Sequence, residues 1–228
     1  MNHNEVSAII VARKGSVRIQ SKCLLKLNRE SLIERKIRQL KQCKHIDRII
    51  FGSDCPIMLD VANNAGAEAV KRPVFYCDEV QASANDMIAN MMQLVKTDII
   101  VWAHCTNPLI SANTYDKAIE VFCNIESEYD SLLSVVEFKE HLWDENKRPL
   151  NYNPYEKRHV PSKELPSYWL QDGGIFIQPY EQMRKNSYFF GKRPYLFEIP
   201  AEEFLDINYY RDYLFAKILV EEEGDQKI

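Results

Sequence analysis

Residues 8–12 (AIIVA) and 99–103 (IIVWA) are apolar at every position. A strand with one wet face alternates apolar and polar side chains, so an unbroken run marks a strand covered on both faces. Neither run can span a bilayer, which needs roughly 20 apolar residues. Two-sided burial calls for helices above and below a sheet, and helical patterns flank these runs. Residues 31–43 set Leu32, Ile33, Ile37 and Leu40 on one helical face. A second strand is expected at 47–52, a helix near 56–64 and a third strand at 67–70. Helix 84–95 carries Met87, Ile88, Met91, Met92 and Val95, a stripe that reads as core rather than a cofactor box. Strand 98–103 and helix 112–123 follow. Repeated β-α-β with short connections implies an α/β fold whose mostly parallel sheet is covered on both faces.

After 131–137 (SLLSVVE) the pattern changes. Residues 138–169 are rich in Pro, Tyr, Asn and charge and have no helical period, so an inserted stretch of loops and edge strands is expected over about 138–170. Strands are expected again at 173–177 and 195–199, then a helix at 208–223, with 221–225 as a frayed tail. The whole chain, 1–228, reads as one domain.

Charge excludes some partners. With 29 Lys and Arg against 33 Asp and Glu, the formal net charge is −4, a poor match for nucleic acid or an anionic membrane. The polar start at residues 1–5 lacks an apolar signal core. The six cysteines are widely spaced and form no CxxC, which disfavours a disulfide framework or zinc site and suits a reducing, cytoplasmic setting. GxGxxG and P-loop motifs are both missing.

Against that acidic background, residues 13–22 (RKGSVRIQSK) concentrate four cations directly after the first strand. Open α/β sheets bind ligands at the carboxyl ends of their strands. Gly15 and Ser16 permit a tight turn whose N–H groups could cradle an anion, while Arg13 offers a planar fork and Lys22 a mobile charge. The residues alone leave two readings open: a polyphosphate site, or a solvated basic loop.

The run 8–22 resembles the signature loop of sugar-activating nucleotidyltransferases, in particular the acylneuraminate cytidylyltransferases (CMP-sialic acid synthetases). Further segments resemble that family in order: 27–33 (LNRESLI) its "L-N-G-x-P-L-I", 47–54 (DRIIFGSD) its "D-R-I-I-V-S-T-D", and 66–73 (GAEAVKRP) its "G-A-E-V-x-x-R-P". Residues 105–109 (CTNPL), 172–177 (DGGIFI) and 205–208 (LDIN) resemble its "P-T-S-P-L", "N-G-A-I-Y-I" and "I-D-I-D". The resemblance implies a three-layer Rossmann-like nucleotidyltransferase fold with an inserted dimerisation segment. It implies transfer of CMP from CTP to an acidic sugar, such as a sialic acid relative, with release of pyrophosphate for surface glycan synthesis. Alternatives are another acidic acceptor, such as a phosphonate, or a CTP-binding protein with impaired catalysis.

Residue roles follow from the same resemblance. Arg13 and Lys22 are the catalytic cations. Ala12, Arg13, Gly15, Ser16, Lys22, Arg72 and Ser83 bind the nucleotide, and His104, Thr106, Asp172 and Gly173 bind the acceptor. Asp206 and Asn208 hold Mg²⁺. Without the family pattern, Asp206 reads as a helix cap, Asp54 as a strand-end turn and Cys105 as a buried small residue. The family's members resemble dimers, so Tyr152, Tyr155, Tyr168 and Trp169 are expected to pack on a second subunit, making a homodimer. Departures are Cys23 for Asn, His104 for Gln, Asp172 for Asn, Asn208 for the second metal Asp, and Ser162 for an Arg suited to a substrate carboxylate. Lys157, Arg158 and Lys163 are the nearest replacement cations.

Overall fold

The computed structural model describes residues 4–15 and 18–225. Seven strands make the central sheet: β1 (Val6–Val11), β4 (Arg48–Ser53), β5 (Glu68–Lys71), β6 (Ile99–Ala103), β7 (Ser131–Phe138), β8 (Tyr168–Pro179) and β9 (Pro194–Glu198). Their order is β5-β4-β1-β6-β8-β7-β9. Four of the six pairings are parallel, and only β8 runs against its neighbours β6 and β7. A small hairpin, β2 (Lys26–Leu27) with β3 (Glu30–Ser31), turns at Asn28, whose φ of 54° suits a residue that tolerates the left-handed region. The helices are α1 (Leu32–Lys41), α2 (Pro56–Ala65), α3 (Ala84–Leu94), α4 (Ala112–Asn124), α5 (Tyr180–Asn186) and α6 (Tyr210–Asp225).

Strand β1 shows why the apolar runs had to be central. Ala8 and Ile10 pack into a core built with Leu32, Ile33 and Ile37 of α1, Met58 of α2, Tyr115 of α4 and Ala216 of α6. Ile9 points the other way, into a core with Trp102, Ile88, Met91 and Met92 of α3 and Met183 of α5. The result is three layers: α1, α2, α4 and α6, then the sheet, then α3 and α5. The methionine stripe of α3 is core, as expected. A capping box starts α1: Ser31 Oγ accepts from the Glu34 N–H (3.2 Å), and Glu34 returns a carboxylate to the Ser31 N–H (2.7 Å).

Four expectations need correction. Strand β8 starts at Tyr168 rather than residue 173. Helix α5 was not anticipated; it is short and follows Pro179 without a side-chain cap. Helix α6 begins at Tyr210, which leaves Asn208 outside it, because Asp212 holds the N–H groups of Asn208 (2.9 Å) and Tyr209 (2.7 Å). That helix continues through Asp225 where a frayed tail was expected.

Lys36 lies fully buried beneath the sheet, its Nζ 3.0 Å from the Tyr115 hydroxyl. Burial pushes its pKa down to about 7 from the ordinary 10.5. The unfolded chain keeps this proton up to its ordinary pKa, while the folded chain releases it near 7. Unfolding between those values takes up a proton, so stability rises with pH across that window, and the whole cost is present below it. Lys36→Met should stabilise the protein at pH 7 by about 1–4 kcal/mol and remove this rise, measured by urea unfolding from pH 6 to 10.

Candidate active site

Strand β1 lies between β4 and β6, and the chain turns to opposite sides of it, first to β4 and later to β6. Such a switch point opens a crevice at the carboxyl ends of the strands. A cavity of about 590 Å³ occupies it, lined among others by Ala12, Arg13, Arg18, Lys22, Arg72 and Thr106. An adjoining groove carries Gly15, Lys14 and Asp54. The Lys14 N–H donates to Asp54 Oδ1 (3.0 Å), which ties the basic loop to the end of β4 and makes Asp54 a strand-end anchor.

Each cation is held differently. Arg72 is only 2% exposed; its Nε donates to Asn90 Oδ1 (3.1 Å) and its Nη2 to the Tyr76 carbonyl (3.0 Å). Gly52 on β4 gives it room, since a Cβ there would stand 2.7 Å from Arg72 Cδ and 2.6 Å from Met91 Sδ. Lys22 Nζ donates to the Ile207 carbonyl (2.6 Å). Burial pulls the Lys22 pKa below its ordinary value, opposed by the charge of Asp206. Ile207 N–H in turn donates to the Thr106 carbonyl (2.8 Å), so Lys22, the segment before α6 and the loop after β6 form one hydrogen-bonded unit. Arg13 is ion-paired with Glu79, a cavity residue that no sequence motif announced. Arg18 sits over the Tyr209 ring, 5.6 Å from its centre.

The structure brings Ala12, Arg13, Lys22, Arg72, Ser83 and Thr106 to the cavity and Gly15 to its edge. Ser16 lies outside the described residues. Ser83 also caps α3, exchanging hydrogen bonds with Asp86. His104, Asp172 and Gly173 do not line the cavity. The His104 Nε2 accepts from Trp102 Nε1 (3.3 Å), so Nδ1 carries the proton donated to the Gly173 carbonyl (2.6 Å). Burial lowers the His104 pKa, consistent with this neutral tautomer. The Asp172 carboxylate accepts from the Ser134 hydroxyl and the Gly174 N–H (3.1 Å), and burial raises its pKa. These side chains face inward at the bulge between β7 and β8, where Ser134 also accepts from the Ile175 N–H (2.8 Å).

Asp206 caps nothing. Its Oδ2 accepts from Asn208 Nδ2 (2.6 Å), and its Oδ1 is buried without a hydrogen-bond partner. An unpaired buried carboxylate oxygen beside an amide oxygen is a hard donor set that suits Mg²⁺. No cluster of three or more His, Cys, Asp or Glu exists among the described residues, so phosphate oxygens and water would have to complete the coordination.

The sequence matches the family model described as cytidylyltransferase over residues 7–204. The chain belongs to the cytidylyltransferase family. It is a CTP-using nucleotidyltransferase. The pseudaminic acid cytidylyltransferase of Campylobacter jejuni (serotype O:23/36) is 24% identical over 222 residues, covering 92% of this chain and 94% of that one. The 3-deoxy-manno-octulosonate cytidylyltransferase of Chlorobium chlorochromatii is 34% identical over 115 residues, half of this chain and 44% of the relative. Among solved structures, a CMP:2-keto-3-deoxy-manno-octonic acid synthetase complexed with CTP aligns with a TM-score of 0.68 at 14% identity, covering 96% of this chain and 99% of that one. The 4-diphosphocytidyl-2C-methyl-D-erythritol synthase of Anaerococcus prevotii aligns with a TM-score of 0.68 at 11% identity, covering 96% of each chain. These two neighbours share the fold, which is the nucleotidyltransferase fold.

Gly52→Ala should push Arg72 out of line and raise KM for CTP roughly tenfold, by the same scale as losing about 1.4 kcal/mol of binding, while leaving the circular dichroism spectrum unchanged. Steady-state kinetics with varied CTP checks it.

Proposed function

We propose that this cytidylyltransferase transfers CMP from CTP to a nonulosonic or related 2-keto-3-deoxy sugar acid and releases pyrophosphate, supplying an activated sugar for surface glycan synthesis. The observation that carries the reading is the cavity that collects Arg13, Arg18, Lys22 and Arg72 at the end of β1 in a chain of net charge −4. The nearly full-length similarity to a pseudaminic acid cytidylyltransferase supports the sugar-acid acceptor.

The chemistry explains the residues. An acceptor oxygen bonds to the α-phosphorus as the bond to the pyrophosphate oxygen breaks. The electrophile is already surrounded by anionic oxygens, and the leaving group gains charge. Positioning and positive charge therefore do most of the catalysis. Lys22, fixed at Ile207, is the candidate for the α-phosphate. Arg13 and Arg18 suit the outer phosphates, and Arg72, with Ala12 and Ser83, suits the nucleoside. Asp206 and Asn208 would hold Mg²⁺, which when bound offsets phosphate charge. The six cysteines are free, which supports a reducing, cytoplasmic setting, and no helix among the described residues is long and apolar enough to cross a membrane.

A homodimer also belongs to this reading. At its start β8 pairs Tyr168, Trp169 and Leu170 with β7, while its pairing with β6 reaches only to Ile175. This two-stranded arm extends past the sheet with Tyr168, Trp169 and Leu170 exposed, and Trp143, Leu150 and Tyr155 of the irregular stretch are exposed as well. A second copy bringing the same arm would cover these apolar side chains in a self-complementary contact.

Incubated with CTP, Mg²⁺ and a panel of nonulosonic and 3-deoxy-octulosonic acids, the protein should release pyrophosphate with at least one acid and form a CMP conjugate whose mass identifies it. Lys22→Ala should cut kcat about 100-fold with little change in unfolding midpoint, since the cation acts in the transition state. No conjugate with any acid would reject the acceptor class, and unchanged kcat would reject the role of Lys22. Trp169→Asp should shift the sedimentation coefficient from dimer to monomer; a monomeric wild type would remove the dimer.

A further inference from the structure

Helix α3 buries Ile88, Met91 and Met92 in one core, and among them a single polar side chain, Asn90, 4% exposed. Asparagine is a poor helix former, and its amide is costly to bury without a hydrogen bond. Apolar packing would favour another methionine at this position. What Asn90 does instead is accept a hydrogen bond from Arg72, at 3.1 Å from Oδ1 to Nε. Arg72 crosses β4 at Gly52, where Met91 of α3 also comes close, so Asn90 meets the guanidinium from the helix side. Ala84 and Met87 of α3 line the cavity. Asn90 stands three residues beyond Met87 on the same helical face, and it reaches the cavity only through Arg72.

The second support of Arg72 is also neutral. Its Nη2 donates to the carbonyl of Tyr76 (3.0 Å), in the 3₁₀ turn Val74–Cys77. Among the described residues Arg72 forms no ion pair, and its Nη1 makes no hydrogen bond. Asp54, the carboxylate at the end of β4, takes the Lys14 N–H instead. Two of the three guanidinium nitrogens are thus tied to uncharged oxygens, and the third is left for the cavity that Arg72 lines.

We propose that Asn90 is a positioning residue for the nucleotide: its neutral oxygen fixes the plane of the Arg72 guanidinium and leaves Nη1, with the whole positive charge, to the nucleoside half of CTP. This rests on the assignment of Arg72 to the nucleoside made above. A carboxylate at position 90 would aim the guanidinium equally well, but the buried ion pair would cancel its field. An apolar side chain would leave the buried Nε–H unpaired and free Arg72 to turn toward another acceptor. Only an acceptor without charge meets both demands.

Isothermal titration calorimetry with CTP, CMP and pyrophosphate as separate probes, each with Mg²⁺, tests this without any sugar acceptor. Asn90→Asp keeps the acceptor and the volume and adds a charge. Its thermal midpoint should equal or exceed that of the wild type, yet CTP and CMP should each bind about tenfold more weakly while pyrophosphate stays within about twofold. A residue that served packing alone would not separate stability from affinity in this way. Asn90→Leu should weaken the same two ligands and also lower the midpoint; should Asn90→Asp misfold, the contrast between CMP and pyrophosphate in Asn90→Leu decides. Unchanged CTP and CMP binding in the folded variants would overturn the proposal, and so would an equal loss for pyrophosphate, which would move Arg72 to the phosphates. A wild type that ignored CTP would instead reject the nucleotide site itself.

Discussion

Four cations share one cavity, and like charges this close repel; everything around the site answers that constraint. Each cation has a partner that fixes its direction. Arg72 is held by an amide and a carbonyl, Lys22 by the Ile207 carbonyl with Asp206 nearby, Arg13 by Glu79 and Arg18 by the face of Tyr209. Two of these anchors are neutral dipoles and one is a π-face. They orient positive charge without cancelling it, so the field remains available to an anionic ligand. A polyphosphate brings the compensating charge.

The sheet makes this gathering possible. The basic loop leaves β1, Arg72 follows β5, Ser83 starts α3, and Thr106 follows β6, so residues distant in sequence meet where parallel strands end together. Arg72 reaches the cavity only by lying across β4 at Gly52. The demand falls on a single residue without a side chain, directly after the apolar Ile49, Ile50 and Phe51 of that strand. The far side of the site is assembled by backbone: Thr106 to Ile207, then Ile207 to Lys22.

The first half of the fold was legible because its strands are buried on both faces and its helices carry one-sided stripes; β1, β4, β6 and helices α1 to α4 came within a few residues of expectation. The second half was harder for physical reasons. The start of β8 is exposed, so Tyr168 to Gln171 lack the alternation that marks a strand. Of the six cavity-lining residues expected from the family pattern, Ala12, Arg13, Arg72 and Thr106 lie within three residues of a strand end, and Lys22 and Ser83 open the helical turns that follow. His104 and Asp172 belong to the same pattern yet turn inward. Their direction depends on the bulge between Leu133 and Val135 and on Ser134, a pairing across 38 residues that spacing does not encode. Glu79 had no signal either, because an acidic residue in a turn is ordinary until the fold sets it against Arg13.

That ion pair bears on how the site fills. The side chains of Arg13 and Glu79 are 27% and 57% exposed, so water screens them and the pair contributes at most about 1 kcal/mol. A triphosphate offers the same guanidinium a more highly charged partner with several oxygens for bidentate bonds. Exchange of carboxylate for phosphate is therefore favourable, and the cost of releasing Glu79 is small because its exposed carboxylate returns to water. Glu79 thus balances the field of the empty cavity and keeps the Arg13 fork ordered, so that little of the ligand's binding energy is spent on arranging it.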